Sequence, residues 1–335
     1  MRYLYRLLVS RRLLFHILHF KMVISAVCPV LNEDQNIQEL IDFFIQAEPK
    51  DKELILIDGG SNDRTVKIIE ENAIKYPNIK LIHNPNKIVS YALNLAIPDC
   101  KGVYIVRLDG HSRYANDYFV AILKAFAKTG AGIVGGPTRT QYKTLTQEAI
   151  AFAISHPAGI GGSKVHDEFY EGYSDSVTFG SWKRDIFNIT GLFDERLVRN
   201  QDDEFHYRAK SKGIKIYQSP DIKLYYSPRS SFSSLFKQYF QYGLYKPLVL
   251  KKIKSEIKTR HIVPAFFVLY ILFSVFLAFY SIYFFAPLVV YALLIGFVSF
   301  FNTKSSRVRM RILVALPCLH IGYGSGFLLG LVKFM

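Results

Sequence analysis

Cysteine is scarce in this 335-residue chain. The three residues Cys28, Cys100 and Cys318 form no CxxC pair and no Cys/His spacing typical of a metal site. This scatter excludes a disulfide framework and favours reduced thiols in a compartment such as the cytosol. Acidic residues are also rare at both ends: residues 1–21 hold five basic residues and no acid, and residues 251–335 hold ten basic residues and one acid, Glu256.

The net charge of +15 therefore comes from the two ends, because residues 22–250 hold 27 basic and 26 acidic residues. A nucleic-acid-binding protein would carry its basic stripe on the folded domain, so nucleic acid is excluded as a partner. Basic residues beside apolar segments instead fit the positive-inside pattern and attraction to anionic lipid. The 50% hydrophobic content excludes a disordered chain.

Residues 262–301 contain no acid and no base. At about 20 residues per crossing this run predicts two membrane spans with a turn near residues 281–287. A basic loop at 302–311 and a third apolar run at 312–332 follow. We expect a transmembrane region of about three helices at 261–335, preceded by an amphipathic interfacial stretch at 233–260. The alternative is a buried helical hairpin of a soluble protein.

Residues 1–21 combine basic residues with a short apolar stretch that contains His16 and His19. We interpret this segment as a basic amphipathic helix on the membrane surface. A packing helix and a signal peptide are the alternatives, although no small-residue cleavage site follows.

From residue 22 to about 135, strand patterns alternate with helical ones, which predicts an α/β domain with an open, mostly parallel sheet. The predicted strands are residues 23–29, 53–57, 80–82 and 104–108. Ligands of such sheets bind at the carboxyl ends of the strands. Asn32, Asp58 and Asp109 each follow a predicted strand, so we expect them to share one cleft in a domain spanning 22–232.

Two of the polar clusters follow strands. Residues 58–65 begin with Asp58 and two glycines, which permit a tight turn, and a carboxylate there can accept an N–H from a base such as uracil. In Asp109-Gly110-His111, the aspartate and the histidine are two residues apart, so that both side chains can reach one Mn²⁺ or Mg²⁺ ion across a tight turn. A structural turn is the alternative for both patterns, and for a lone Asp-X-His triplet it is the commoner explanation.

Two further clusters lie later in the chain. Residues 200–204 include three consecutive acids, which read either as the start of a helix or as the source of a general base. Residues 238–243 are rich in aromatic and amide side chains, which stack on sugars or anchor a protein at a bilayer surface.

In this order the clusters resemble the inverting family 2 glycosyltransferases of GT-A fold. The resemblance starts with the Pro-x-x-Asn-Glu turn at residues 29–33 and includes 58–65, 84–94, 109–111 and 201–208. The patterns at 107–111, 199–205 and 238–243 are most similar to succinoglycan-type exopolysaccharide glucosyltransferases. His111 and Gln201 stand where the family has acids. Gln241 and Tyr242 replace the Arg-Trp pair of processive synthases.

The resemblance implies a GT-A (Rossmann-like) nucleotide-sugar domain and assigns roles to individual residues. Asp202 is the expected catalytic base, with Asp203 as the second candidate, and Asp109 and His111 are the expected ligands of Mn²⁺ or Mg²⁺. Gln238 and Tyr242 are expected to line the cleft where the acceptor binds. The expected donor-binding residues are Pro29, Asn32, Glu33, Asp58, Lys87 and Asp109.

The expected function is transfer of a sugar from a UDP-sugar to a lipid-linked saccharide in bacterial surface or exopolysaccharide synthesis. Such a hexosyltransferase would be a multi-pass protein of the inner (plasma) membrane with a cytoplasmic catalytic domain. The alternatives are transfer to a polyprenyl phosphate and a non-catalytic scaffold with a degenerate transferase domain.

Overall fold

The computed structural model describes residues 22–335, so the predicted amphipathic segment at 1–21 lies outside the described residues. The described chain divides into two compact units. The first comprises the residues up to Arg139 and the segment Asp167–Tyr226, and the second comprises Thr140–His166 and Ser227–Met335.

The first unit is built on an eight-stranded sheet with the order β3-β2-β1-β4-β9-β6-β10-β8, beside a three-stranded sheet with the order β5-β11-β7. The strands are β1 Ile24–Val30, β2 Lys52–Asp58, β3 Ile79–His83, β4 Tyr104–Arg107, β5 Arg113–Tyr114, β6 Ile133–Gly136, β7 Thr138–Thr140, β8 Gly172–Tyr173, β9 Thr178–Lys183, β10 Ile216–Gln218 and β11 Leu224–Tyr226. Strands β1 to β4 are mutually parallel, whereas β9 runs antiparallel between β4 and β6. The predicted α/β sheet is therefore confirmed, with two antiparallel strands, β8 and β9, that the sequence patterns did not indicate.

Helices connect the strands and form most of the second unit. They are α1 Ile37–Gln46, α2 Thr65–Lys75, α3 Val89–Ala96, α4 Tyr118–Thr129, α5 Leu145–Ser155, α6 Pro157–Ile160, α7 Ile186–Thr190, α8 Gln201–Ser211, α9 Phe232–Lys252, α10 Thr259–Leu277, α11 Ala286–Asn302 and α12 Ser306–Phe334.

Both faces of the large sheet are buried, which explains why its central strands are continuously apolar. In β2, Leu54 and Leu56 pack into a core with residues of α1 and α4. Ile55 and Ile57 point the other way, into a core with α3, α8 and Trp182. This alternation follows from the two-residue period of a strand.

The register of the central strands sets the position of the polar loops. β1 lies between β2 and β4, with Val30 opposite Asp58 and Val27 opposite Arg107. Because these strands are parallel, their carboxyl ends meet at one edge of the sheet, where open α/β sheets bind ligands.

The second unit contains α5 and α6 as well as the C-terminal helices, and α12 contacts α5, α9, α10 and α11. Residues 140–166 thus pack with the C-terminal helices, whereas our sequence boundaries assigned them to the 22–232 domain. The reason is long-range packing: α5 contacts α12, which lies more than 150 residues further along the chain. Apart from this difference, the predicted domain boundaries stay predictions.

Two segments of the second unit are long and apolar enough to cross a membrane: Ile282–Asn302, with 21 residues, and Ser306–Phe334, with 29 residues. The apolar helix Thr259–Ser274 is shorter than these two. We predicted about three spans, and two helices of the described chain satisfy the length and composition that a span requires.

Glycines on α12 let this helix approach α9 closely. Gly322, Gly326 and Gly330 recur at four-residue intervals, and a Cβ at Gly326 would lie 2.0 Å from the backbone oxygen of Phe240. A Cβ at Gly330 would lie 2.2 Å from the backbone oxygen of Leu244. The two backbones are therefore in direct contact along this stripe, the geometry that small-xxx-small patterns permit.

We expect Gly326→Leu to destabilise the protein by about 2 kcal/mol or more, because overpacking forces the two helices apart. Gly296→Leu in α11 is the matched control, since a Cβ at Gly296 meets nothing within 4 Å. Thermal unfolding of the purified protein measures the difference. Equal melting temperatures of the two variants would show that α9 and α12 do not touch along the glycine stripe.

Candidate active site

Most of the residues predicted to bind the donor lie in the first unit at the carboxyl ends of β1, β2 and β4, and Lys87 lies in the loop after β3. Asn32 follows β1, Asp58 ends β2 and Asp109 follows β4. These are three adjacent strands of the sheet, so the loops after them are neighbours in space.

The Asp58 carboxylate stabilises the turn that follows it. It is almost completely buried and accepts hydrogen bonds from the backbone N–H groups of Gly60, at 2.9 Å, and Ser61, at 3.2 Å. His83 Nδ1 lies 4.0 Å from the same carboxylate. Residues 58–61 thus form the tight turn that was one of the two expectations for this segment. The proposed contact to uracil would use the remaining lone pairs of the carboxylate.

Asn32 connects the first two loops. Its side-chain oxygen accepts from the backbone N–H of Asn62 at 2.9 Å, and its own N–H donates to Ser61 Oγ at 2.8 Å. Its φ of 55° lies in the left-handed region, which asparagine tolerates better than most residues. Asn32 therefore holds the Asp58 turn in place from the neighbouring strand.

Lys87 and Pro29 lie beside the same turn. The Lys87 Cε atom is 3.5 Å from the position that a Cβ of Gly60 would occupy, and the side chain is exposed. Pro29 is half-buried near the end of β1, and its carbonyl accepts from Cys28 Sγ at 3.8 Å. Lys87 thus places an exposed positive charge beside the turn, and the donor-binding roles of Lys87 and Pro29 stay predictions.

His111 lies between two carboxylates. Its Nδ1 atom is 2.9 Å from Glu33 Oε1 and 3.1 Å from Asp109 Oδ1. Glu33 also accepts from Asn36 Nδ2 at 2.9 Å, and the Asp109 N–H donates to the Tyr114 hydroxyl at 2.7 Å. The loops after β1 and β4 are thereby connected through one imidazole ring.

Asp109 and His111 carry chemically suitable ligands for Mn²⁺ or Mg²⁺. Within residues 22–335, no group of three or more His, Cys, Asp or Glu side chains is arranged to hold a metal ion. The pair therefore fits a metal only when phosphate oxygens of a donor and water complete the ligand set, as is usual for Mg²⁺ bound to nucleotides. Coordination through Nδ1 would also replace its present carboxylate contacts.

Asp202, the predicted base, is in the first turn of α8 and its side chain is 25% exposed. Its Oδ2 atom accepts a hydrogen bond from Nη1 of Arg107, at the end of β4. Burial disfavours the charged guanidinium, but the charges of Asp202 and Asp109 outweigh burial and raise the pKa of Arg107.

Asp203, the second candidate for the base, faces different partners. Ser176 Oγ lies 3.5 Å from Asp203 Oδ1 and 2.8 Å from His206 Nδ1. His206 is completely buried, and burial lowers its pKa.

Glu204 has a structural role. Its carboxylate forms a two-bond pair with Arg208, through Nε and Nη2 at 2.9 Å each. Arg208 also donates to the backbone oxygens of Thr190 and Leu192. Of the three consecutive acids, Glu204 is thus the one whose two carboxylate oxygens are both bonded to an arginine of its own helix.

Gln238 and Tyr242 lie on α9 in the second unit. Gln238 Nε2 donates to the Tyr242 hydroxyl at 3.0 Å, and Arg229 Nε donates to Gln238 at 3.4 Å. Their expected place in the acceptor cleft stays a prediction.

Sequence reasoning assigned no role to Arg107 or Phe179. The Arg107 guanidinium lies 5.2 Å from the centre of the Phe179 ring, and Phe179 has a φ of 41°, rare for a residue with a side chain. For Arg107, two signals were available: a basic residue at the end of an otherwise apolar strand, and the first place in the pattern at residues 107–111.

Two solved structures of glycosyltransferase fold, each containing a nucleotide sugar, are similar to this chain. A mannosyltransferase from Pyrobaculum calidifontis, in complex with GDP-Man and Mn²⁺, superposes with a TM-score of 0.59 at 15% identity, over 92% of this chain and 88% of its own. TarS residues 1–349 from S. aureus, in complex with UDP-GlcNAc, superpose with a TM-score of 0.51 at 15% identity, over 72% and 69%. These similarities confirm the GT-A type of fold.

Sequence comparison identifies the family. The profile of glycosyl transferase family 2 matches residues 25–186. The succinoglycan biosynthesis protein ExoA of Rhizobium meliloti (strain 1021) is 31% identical over 220 residues, which are 65% of this chain and 67% of that protein. A Methanococcus voltae enzyme is 28% identical over 241 residues, which are 68% of this chain and 74% of its own. That enzyme is named as a glucuronosyltransferase acting on dolichyl N-acetyl-α-D-glucosaminyl phosphate.

The chain is therefore a glycosyltransferase. It belongs to glycosyl transferase family 2, as the resemblance of its motifs predicted.

We expect acid to destabilise the first unit through His206. Its pKa is lowered in the folded state, so the unfolded chain binds the proton more readily. The stability contributed by the neutral ring is present above the unfolded pKa of about 6.5 and is lost as the pH falls below it. His206→Gln should flatten this dependence in denaturant titrations between pH 7 and pH 5. An unchanged slope in the variant would contradict the assignment.

Proposed function

We propose that the protein is a membrane-anchored, inverting glycosyltransferase that moves a sugar from a UDP-sugar to a lipid-linked saccharide. The proposal rests on the polar residues that gather at one edge of the first unit's sheet. The Asp58 turn, Asp109 and the Arg107–Asp202 pair all lie at the ends of adjacent strands or contact them there. Such an edge can hold a nucleotide and a reacting hydroxyl side by side.

The donor would bind over the loops after β1, β2 and β4. Asp58 would accept the imide N–H of uracil, and the exposed ammonium group of Lys87 would approach the diphosphate. Asn32 and Glu33 would hold the surrounding backbone. The two solved structures described above carry different nucleotides, GDP-Man and UDP-GlcNAc. The choice of UDP therefore rests on Asp58 and on the family's motif.

Asp109 and His111 would hold Mn²⁺ or Mg²⁺. A divalent ion there would neutralise the charge that develops on the UDP leaving group. The Mn²⁺ in the Pyrobaculum calidifontis enzyme supports this assignment.

Asp202 would act as the base of a single displacement. Its carboxylate takes the proton of the acceptor hydroxyl while that oxygen forms a bond to the anomeric carbon. The bond from the anomeric carbon to UDP breaks, and its electron pair leaves with the β-phosphate. Because attack comes from the opposite face, an α-linked donor gives a β-linked product.

Exposed apolar side chains support the membrane anchor. They concentrate in the second unit and include Phe273, Phe276, Leu293, Leu294, Phe297 and Phe301. Apolar surface of this extent requires lipid or a partner to cover it. If the shorter helix α10 also crosses the bilayer, the basic loop at 302–311 and the catalytic unit would lie on the same, cytoplasmic side. The protein would then be a multi-pass protein of the inner membrane.

The names of the relatives support the acceptor and the pathway. One relative acts, by its name, on a sugar already linked to dolichyl phosphate, and another serves succinoglycan biosynthesis. A saccharide on a lipid carrier, used in surface or exopolysaccharide synthesis, fits both names and explains why the enzyme is held at a bilayer.

Calorimetric titration with UDP and GDP, each with and without Mn²⁺, tests the donor site. We expect Mn²⁺-dependent binding of UDP, at least tenfold weaker binding of GDP, and loss of UDP binding in Asp109→Ala. Asp117→Ala is the control, because Asp117 is an exposed aspartate before α4. Equal affinity for UDP with and without metal would remove the metal from the proposal.

The linkage in the product distinguishes a saccharide acceptor from a lipid phosphate. Membrane lipids would be incubated with the enzyme and radiolabelled UDP-glucose, UDP-galactose or UDP-N-acetylglucosamine. We expect a labelled lipid whose new bond survives mild acid that cleaves a sugar–phosphodiester bond, since a glycosidic bond is formed. Release of the single labelled sugar by that treatment would show transfer to a polyprenyl phosphate instead.

A further inference from the structure

We infer that Arg107 is a positioning residue that holds the Asp202 carboxylate for proton removal, so that one strand end aligns the base with the donor. The inference rests on the proposed function, because it concerns the base of the proposed reaction. The pattern at residues 107–111 begins with this arginine, whose role the sequence alone did not indicate.

The location of Arg107 requires an explanation. It ends β4, between β1 and β9 in the sheet, and its side chain is only 8% exposed. Arginine is almost never buried without a partner, because removing its charge from water is expensive. Its ion pair is with Asp202, 95 residues away in the sequence.

The same strand end carries the proposed metal ligand. Arg107 and Asp109 are two residues apart, and the chain between them stays paired with β1 through the Leu108 N–H and the Val27 oxygen at 2.9 Å. The Tyr114 hydroxyl fixes the Asp109 backbone from the other side. The distance from Asp109 to the group that holds Asp202 is thus set by a short, hydrogen-bonded segment.

A second ion pair on the same helix shows what a structural pair looks like. Glu204 and Arg208 make two parallel hydrogen bonds, and Arg208 donates further bonds to two backbone oxygens. This is the bidentate geometry that satisfies both groups.

The Arg107–Asp202 pair differs because it is only partly satisfied. A single bond joins Nη1 to Oδ2, whereas Nε of Arg107 and Oδ1 of Asp202 are buried and make no hydrogen bond to any of residues 22–335. Buried polar atoms of this kind are rare in native proteins. Asp202 is therefore held by one bond and retains capacity to accept a proton from a substrate hydroxyl.

The residue that packs against the Arg107 guanidinium, Phe179, also has an unusual backbone conformation. Phe179 adopts its left-handed φ of 41° where its ring lies against the guanidinium. Backbone conformations of this kind cost energy and persist where the surrounding structure requires them. A strained residue under the arginine is consistent with a side chain held in one orientation.

The test compares Arg107→Met, Arg107→Lys and Asp202→Asn with the double variant Arg107→Met/Asp202→Asn. The readouts are kcat and donor KM for transfer from UDP-glucose, or whichever of the three UDP-sugars is active, to membrane lipids. UDP affinity and melting temperature are measured on the same samples. Glu53→Gln is the matched control, because Glu53 is a buried carboxylate paired with Lys80 near the opposite end of β2.

We expect Arg107→Met to lower kcat by about 100-fold, the size of effect that a base misplaced by about 1 Å can produce. Donor KM and UDP affinity should change less than about threefold, and Arg107→Lys should recover part of kcat. In the double variant the arginine change should cost nothing beyond Asp202→Asn, since Arg107 acts through Asp202. Glu53→Gln should lower the melting temperature and leave kcat unchanged.

Three results would overturn the inference: wild-type kcat in Arg107→Met, a parallel loss of UDP affinity and kcat, or independent effects in the double variant. If Arg107→Met fails to fold, Arg107→Lys and the double variant still decide, because neither leaves one buried charge unpaired. A wild-type enzyme that binds UDP and transfers sugar while Arg107 is dispensable refutes only this inference. A wild-type enzyme that does neither refutes the proposed function as well.

Discussion

The parallel pairing of β1 with β2 on one side and β4 on the other is the constraint on which the site depends. It brings the ends of three strands, far apart in the sequence, to one edge of the sheet. The pairing is stabilised by apolar side chains on both faces, so the polar loops do not have to hold the fold together. Irregular features such as the left-handed backbone of Asn32 can therefore persist in those loops.

Much of the first unit could be predicted from local patterns. β1 to β4 are short apolar runs and the helices between them have helical periodicity, so Asp58 and Asp109 could be placed at strand ends. The antiparallel strand β9 could not be predicted in this way, because its place between β4 and β6 depends on packing. The Arg107–Asp202 pair was also invisible, since no spacing relates residues 95 positions apart.

In the second unit, local sequence patterns predicted less of the structure. Its apolar runs were evident from composition, but the partners of each helix were not. The glycines of α12 read as interruptions of an apolar segment, whereas Gly322, Gly326 and Gly330 form its contact with α9. The segment Thr140–His166 lies between two stretches of the first unit in the sequence and yet packs with the C-terminal helices. In both cases the structure is determined by long-range packing, which local sequence patterns do not indicate.

The reciprocal bonds between Asn32 and residues 61 and 62 have a consequence for ligand recognition. They link the first two loops of the site to each other in the protein itself, so the conformational entropy of ordering these loops is lost during folding and not during binding. A nucleotide at the proposed donor site would then meet loops that are already ordered, and its affinity would depend on how well its shape matches them. Discrimination between nucleobases would arise from this fit, with little contribution from loop closure.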